Sequence, residues 1–290
     1  MLLAAEQRRT KFVGLVALVI ATAMRPGGAA ATLPIILVIF DWNTGVGQLK
    51  RLGIAIGAWI GVIIIGTALL WAFVDRDIDG REAMLASVDV RGTASRLEKI
   101  DDAQLAWAVF LATAPRRGSE KMLVSARREL VLAHPKEYLS HRAELFGRLL
   151  GLGSRGAEWQ PAYTRIMPSR DARHMVRHTA RHSYLQRKLN DAVITLSATP
   201  LFQPVFYLAA AVVLLGLAIK RRRRIEIAVL ASGICHELSL AVVADTATFR
   251  SSHWLVVSTL VASAIAITRW WLARRAQNQG MNASSARQRD

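Results

Sequence analysis

"KRRRRIEIAVLASGICHELSLAVVADTATFR", residues 220–250, decides the reading of the chain. Five consecutive basic residues run straight into an apolar stretch at 225–243. A stretch of that length approaches the roughly 20 residues that cross a bilayer as a helix. The basic cluster at its start marks the cytoplasmic side. Inside the stretch stand His236 and Glu237, roughly 17 Å along the helix at about 1.5 Å per residue. Ionisable groups at that depth are costly and face a partner or a watery cavity. Adjacent helical residues point about 100° apart, so the two need not touch. Two readings stay open. The pair forms a proton-handling or substrate-binding site, or it is a structural pair satisfied by Arg25 or by a hydroxyl on a neighbouring span.

Working outward, the same pattern recurs. Apolar runs occupy 12–24, 29–40, 52–73, 201–219 and 253–273. Basic clusters stand at 8–11, 49–51, 220–224 and 269–275. The positive-inside rule puts all four clusters in the cytoplasm. That assignment closes if 12–24 and 29–40 are two short spans. It predicts an all-α integral membrane protein of about six transmembrane helices, with both termini cytoplasmic and 75–199 as a mostly helical extracytoplasmic insert. The first two runs are short for spans, so one kinked span over 12–40 ranks second and a cleaved signal peptide third. Trp71, Trp270 and Trp271 fall at span ends, where an aromatic belt is expected. The organisation is a membrane segment over 1–74, the insert over 75–199, a second membrane segment over 200–273 and a disordered cytoplasmic tail over 274–290.

Composition agrees. The 290 residues are 52% hydrophobic and 20% charged, with a net charge of +17. Such a mixture segregates apolar and charged blocks into different solvents. A basic chain can serve nucleic acid or membrane, but here the charge flanks apolar runs and no nucleic-acid motif is present. The single cysteine, Cys235, excludes an intramolecular disulfide. No Cys/His spacing fits a zinc site, so no metal ligands are assigned.

Within the insert, "SEKMLVSARRELVLAH" predicts a helix from Ser119 as N-cap to His134, stopped by Pro135. "KEYLSHRAELFGRLLGLG" predicts a second, its apolar face formed by Tyr138, Leu139, Leu145, Phe146, Leu149 and Leu150, with Gly151 and Gly153 as the stop. "RHMVRHTARH", 173–182, sets Arg173, Arg177 and Arg181 in one helical stripe and His174, His178 and His182 in another. The arginines suit anionic lipid headgroups, or form a solvated basic face. They disfavour a cation at the histidines. In the loop 244–254, Arg250 and His253 stand at a span mouth, as Arg25 does between the short spans. Each arginine can clamp an anionic substrate or snorkel to headgroups. No Walker-type phosphate loop and no G-x-S-x-G elbow is present.

Four stretches carry a resemblance. "ATAMRPGGAAATLPIILVIF" (21–40), "LVLAHPKEYLSHRAELFGRLLG" (130–151), "ASGICHELSLAVV" (231–243) and "TFRSSHWLVV" (248–257) resemble the carboxy-terminal half of bacterial multi-span glycosyltransferases of the GT-C type. These proteins use polyprenyl-phosphate-linked sugars at the outer face of the cytoplasmic (inner) membrane. The resemblance implies a glycosyltransferase-like protein of cell-envelope glycan or lipid glycosylation. It implies a polyprenyl-linked sugar donor, with or without a divalent metal. Arg25, Arg250 and His253 would lie near the lipid phosphate, and Glu237 would hold the spans or line the donor cavity. Two departures matter. The family's acidic catalytic residue belongs to an early outer loop, and nothing before residue 12 resembles one. Thr248 and Ser251 stand where the family has Asp and Tyr. The catalytic residues therefore stay unassigned, and the chain is partial or works with a membrane partner that supplies the acid. The alternatives are a non-catalytic membrane scaffold or assembly subunit, and then a transporter or flippase using His236 and Glu237.

Overall fold

The computed structural model describes residues 12–22, 28–39, 47–73, 78–97, 103–113, 120–152, 199–244 and 249–287, with single positions at 184, 188, 192 and 195. Every regular element among them is a helix. In chain order they are α1 (Phe12–Thr22), α2 (Ala29–Ile39), α3 (Gln48–Phe73), α4 (Ile78–Ala94), α5 (Ala103–Thr113), α6 (Glu120–Ala133), α7 (Pro135–Leu149), α8 (Pro204–Lys220), α9 (Arg224–Val243) and α10 (His253–Arg287). Short 3-10 turns at Pro200–Phe202 and Phe249–Ser252 lead into α8 and α10.

Three helices are long and apolar enough to cross a membrane: α3 through Leu52–Leu69, α9 over its full length, and α10 through His253–Gln277. Helices α1, α2 and α8 are apolar but shorter. At 11 residues, α2 covers about 16 Å, roughly half of a hydrocarbon core about 30 Å thick. Where six spans were expected, the described residues hold three helices of spanning length and three short apolar ones. The boundary drawn at Arg274 from composition is not a break in secondary structure, because α10 continues to Arg287. Ala, Arg and Gln, all good helix formers, dominate 273–279 and carry the helix beyond its apolar part.

Helices α4 to α7 form a compact helical domain. Its core consists of Ala86 and Val90 of α4, Ala108, Leu111 and Ala112 of α5, and Leu123, Ala126 and Leu130 of α6. Alanines at these crossings let the backbones approach closely. Helix α6 ends one residue before His134, as the Pro135 signal predicts, and Pro135 occupies the first turn of α7, where its missing N–H costs nothing. Helix α7 ends in a Schellman motif. Gly151 adopts φ +80°, and Leu152 N donates to Gly147 O and Gly151 N to Arg148 O.

Helix α9 is the centre of the apolar bundle, packed on α2, α8 and α10. Tyr207 and Ala211 of α8 meet Leu230 of α9 and Leu255 and Ala262 of α10. Gly233 allows the α9–α10 crossing, since a Cβ there would fall 1.9 Å from Ser258 Oγ. The hairpin of α1 and α2 packs on α3 through Ile36, Ala55 and Val62, and Ile39 reaches Gly14.

The helical domain docks at the carboxy-terminal end of α9. Leu149 of α7 packs on Leu240 and Ala244. Val205 N donates to Leu150 O at 3.1 Å, and Arg142 Nη1 donates to Ala244 O at 2.6 Å. The opposite end of the bundle carries the tight turn at Lys220–Arg224.

Candidate functional site

Side chains of α3 and α9 converge on the first turn of α2, and α10 joins them through α9. Pro34 lies inside α2. It has no N–H for the carbonyl of Ala30, four residues before it, and its ring pushes the helix out of line. The carbonyls on either side of Ala30 take side-chain hydrogen bonds, two of them from neighbouring helices. Ala29 O accepts from Trp59 Nε1 of α3 at 2.9 Å and from Thr32 Oγ1 at 2.8 Å. Ala31 O accepts from Ser232 Oγ of α9. Ser232 in turn accepts from Trp254 Nε1 of α10 at 2.9 Å. One polar line thus ties α10 to α9 to α2.

One turn further along α9 come His236 and Glu237, both buried. They point in different directions, as their adjacency requires. Ser252 Oγ donates to Glu237 Oε1 at 2.8 Å, and Ser252 is itself fully buried. His236 Nε2 lies 3.2 Å from Ser251 O. A carbonyl only accepts, so that bond places the imidazole proton on Nε2. Both contacts go to the 3-10 turn Phe249–Ser252 at the head of α10.

Between the α1–α2 hairpin and the α9–α10 pair lies a cavity of about 340 Å³. Leu18, Ala31, Ile35, Trp254 and Val257 supply much of its wall, and Thr32, Ser232, His236 and His253 its polar part. No carboxylate lines it among the described residues. A space of this size and lining accepts a hydrocarbon chain, with a few polar groups to orient what is attached to it. Among the described residues no group of three His, Cys, Asp or Glu side chains could hold a metal ion. The divalent metal implied by the resemblance has no ligand set there, and no step is assigned to it.

A second polar centre lies in the helical domain. Asp89 of α4, 1% exposed, receives Arg142 Nη2 of α7 at 2.6 Å and faces Arg127 Nε of α6 at 2.7 Å. The Arg127 contact is an ion pair without hydrogen-bond alignment, since Arg127 Nε has no hydrogen-bond partner. His141 Nε2 stands 3.8 Å from Asp89 Oδ1. The imidazole rests directly on the α4 backbone, where a Cβ on Gly92 would fall 1.9 Å from His141 Cε1. Burial lowers the His141 pKa, with Arg96 and Arg142 adding to the effect and Asp89 and Glu144 opposing it. Arg96 pairs with Glu144 and caps Gly92 O. On the outside, the Arg148 hydrogen bond and the nearby Arg96 hold the Glu144 carboxyl below its ordinary range.

The structure brings His236 and His253 to one cavity and turns Glu237 away from it, into a hydrogen bond with Ser252. Arg250 belongs to the 3-10 turn, but its side chain lies outside the described residues, as do Arg25 and the Arg173, Arg177 and Arg181 stripe with its histidines. The apolar face expected on α7 is corrected. Leu149 and Leu150 are buried, but so are His141 and Arg142, whereas Leu139 is 63% exposed. The Asp89 carboxylate holds Arg142 inward, and the His141 ring is buried against the α4 backbone at Gly92; hydropathy would leave both in solvent. Asp89 had a legible signal. It sits in "ASVDVRGTA" on the stripe of Ala86, Val90 and Thr93, where an acid must be paired. Ser232, Ser252 and Trp254 carry no such signal, because hydroxyl and indole groups in apolar helices are common. The chain matches no known family profile, no curated protein and no solved structure.

Proposed function

We propose that this is a glycosyltransferase-like membrane protein of cell-envelope glycan or lipid glycosylation, which holds the isoprenoid part of a polyprenyl-phosphate-linked sugar between α1, α2, α9 and α10. The single observation that carries the reading is the 340 Å³ apolar cavity with His236 and His253 on its wall. The ligand class must be apolar over most of its length and polar at one end. A lipid-linked sugar has that form; a free sugar or nucleotide would leave the aliphatic wall unmatched. The proposal includes the bacterial cytoplasmic membrane, six membrane-inserted helices with both termini inside, and the helical domain outside. It includes the three short helices as members of a bundle whose neighbours satisfy their backbone, as the contacts at Ala29 and Ala31 do. Arg25 and Arg250 flank the cavity segments in sequence and are assigned to the lipid phosphate. Glu237 is assigned to positioning, because its carboxylate is engaged by Ser252 away from the cavity. The same contact weighs against a transporter in which Glu237 cycles through solvent.

The absence of a carboxylate from the described cavity wall favours one second reading, a scaffold that presents the lipid to a membrane partner bearing the acid. The two readings share the ligand and differ in turnover. The test uses the full chain in nanodiscs with a benzophenone-bearing polyprenyl phosphate. Cross-links should map to 18–35 and 232–257, and Val257→Trp, which fills the cavity from a side chain now 45% exposed, should abolish them. Labelling spread evenly over all apolar helices, or untouched by Val257→Trp, would sink both readings. Labelling with no sugar transfer to any lipid or glycan acceptor leaves the scaffold.

A further inference from the structure

The end of the bundle remote from the helical domain carries a feature that the cavity does not use. Helix α8 closes in a Schellman motif, with Arg223 N donating to Ala218 O and Arg222 N to Ile219 O. The residue forced into the left-handed conformation is Arg222, at φ +53°. Glycine is the ordinary choice there, as at Gly151, because a Cβ is strained in that region. Here the turn keeps an arginine at a position where the backbone prefers glycine.

The turn overhangs a crease of about 50 Å³ between α8, α9 and α10. Leu214, Leu217 and Leu230 form part of its apolar wall, and Arg221, Arg223 and Glu226 its mouth. Glu226, 3% exposed, pins two arginines from different segments: Arg223 Nη1 at 3.5 Å and Arg269 Nη1 at 3.2 Å. Among the described residues, Glu226 is the carboxylate that Arg223 at the mouth of the crease and Arg269 of α10 share, beside Lys220 and the arginines 221, 222 and 224 in sequence. Next along α10, Arg274 lies over the Trp270 ring at 5.3 Å and Arg275 over Trp271 at 5.2 Å. Both tryptophans are about half exposed, as rings at a membrane interface are.

From this arrangement we infer that the Lys220–Arg224 turn and the facing stretch of α10 form a binding site for the phosphate of an anionic phospholipid, its acyl chain lying along the α8 side of the crease. Charge complementarity selects the headgroup: guanidinium forks suit phosphate oxygens bidentately, and basic pockets between membrane helices hold such headgroups. The apolar wall below the arginines selects a lipid over a soluble anion. Glu226 orients Arg223 and Arg269, leaving Arg221 and Arg222, both exposed, for the ligand.

The test is native mass spectrometry of the full chain released from nanodiscs of phosphatidylcholine containing phosphatidylglycerol. Phosphatidylglycerol should be retained well above its bulk fraction. The informative variant is Arg221→Gln with Arg222→Gly. It removes two cations while placing glycine where the backbone favours it, so loss of fold cannot mimic loss of binding. Retention should fall roughly twentyfold to thirtyfold, at about 1 kcal/mol per surface cation. Arg148→Gln, on the helical domain, should change nothing. Equal retention of both lipids, or enrichment that the double variant leaves intact, overturns the inference. So does displacement by millimolar inorganic phosphate, which would assign the arginines to a soluble anion.

Discussion

Replacing Asp89 with Asn probes a buried carboxylate that faces two arginines. The substitution keeps volume and shape and removes one charge. Arg142, 5% exposed, would lose its carboxylate partner at 2.6 Å, and Arg127 its partner at 2.7 Å. Breaking a buried ion pair from one side costs about 3–5 kcal/mol, because the remaining charge stays desolvated. For a domain of this size each kcal/mol moves the melting point by about 4–8 °C. The helical domain should therefore melt at least about 12 °C lower, or fail to fold. The assay is thermal unfolding of the purified protein in mild detergent, followed by circular dichroism. Arg142→Gln alone should also be costly, since it gives up both Asp89 and the Ala244 carbonyl. The double variant should lose less than the sum of the singles, by about 0.5–3 kcal/mol, as residues in one network do. A loss below about 1 kcal/mol for Asp89→Asn, or strict additivity, would refute the pairing and with it the account of why α7 turns Arg142 inward.

Other outcomes follow from the same contacts. Because His141 has a lowered pKa, the folded domain holds fewer protons than the unfolded chain as pH falls. Stability from this group is complete above an ordinary histidine pKa of about 6.5 and is lost as pH drops through its lowered value; a pH series of melting curves should show the loss, and His141→Gln should flatten it. Glu144, whose carboxyl is also lowered, keeps its contribution above its ordinary range and loses it as pH falls through its lowered value. Glu237→Gln should be nearly silent in stability, because its amide oxygen still accepts from Ser252, whereas Glu237→Ala leaves a buried hydroxyl unmatched and costs about 1–3 kcal/mol; equal costs would mean that the charge itself matters. Gly233→Leu should separate α9 from α10 and destabilise the bundle by about 1–3 kcal/mol or more. For Gly233→Ala, Ser258→Ala should restore part of the loss, since Ser258 Oγ is the nearest obstacle; no rescue would place the strain in the backbone.

How much was legible in the sequence depended on whether the deciding physics was local. Runs of apolar residues and the basic clusters beside them are properties of consecutive positions, and they mark α3, α9 and α10 without reference to anything distant. Pro135 ends α6 and starts α7 by local sterics. The number of spans is less local. An 11-residue apolar helix such as α2 lies below the length that crosses a bilayer alone, and its place depends on Trp59 and Ser232, which come from helices far along the chain. The site divides in the same way. His236 and Glu237 were visible as ionisable residues in an apolar run, because their cost is set by their immediate surroundings. Which of them faces the cavity was not. That depends on the 3-10 turn at Phe249–Ser252, which takes Glu237 with a hydroxyl and His236 with a carbonyl. The α7 face shows the limit most sharply. Hydropathy sends Arg142 to solvent, and Asp89, 53 residues earlier in the chain, together with the Ala244 carbonyl makes burial the lower-energy state. Sequence alone therefore determined which helices are long and apolar enough to cross a membrane, through transfer energies that add along the chain. Tertiary structure decided the partners of each buried polar group, because hydrogen bonds and ion pairs act only at contact distance.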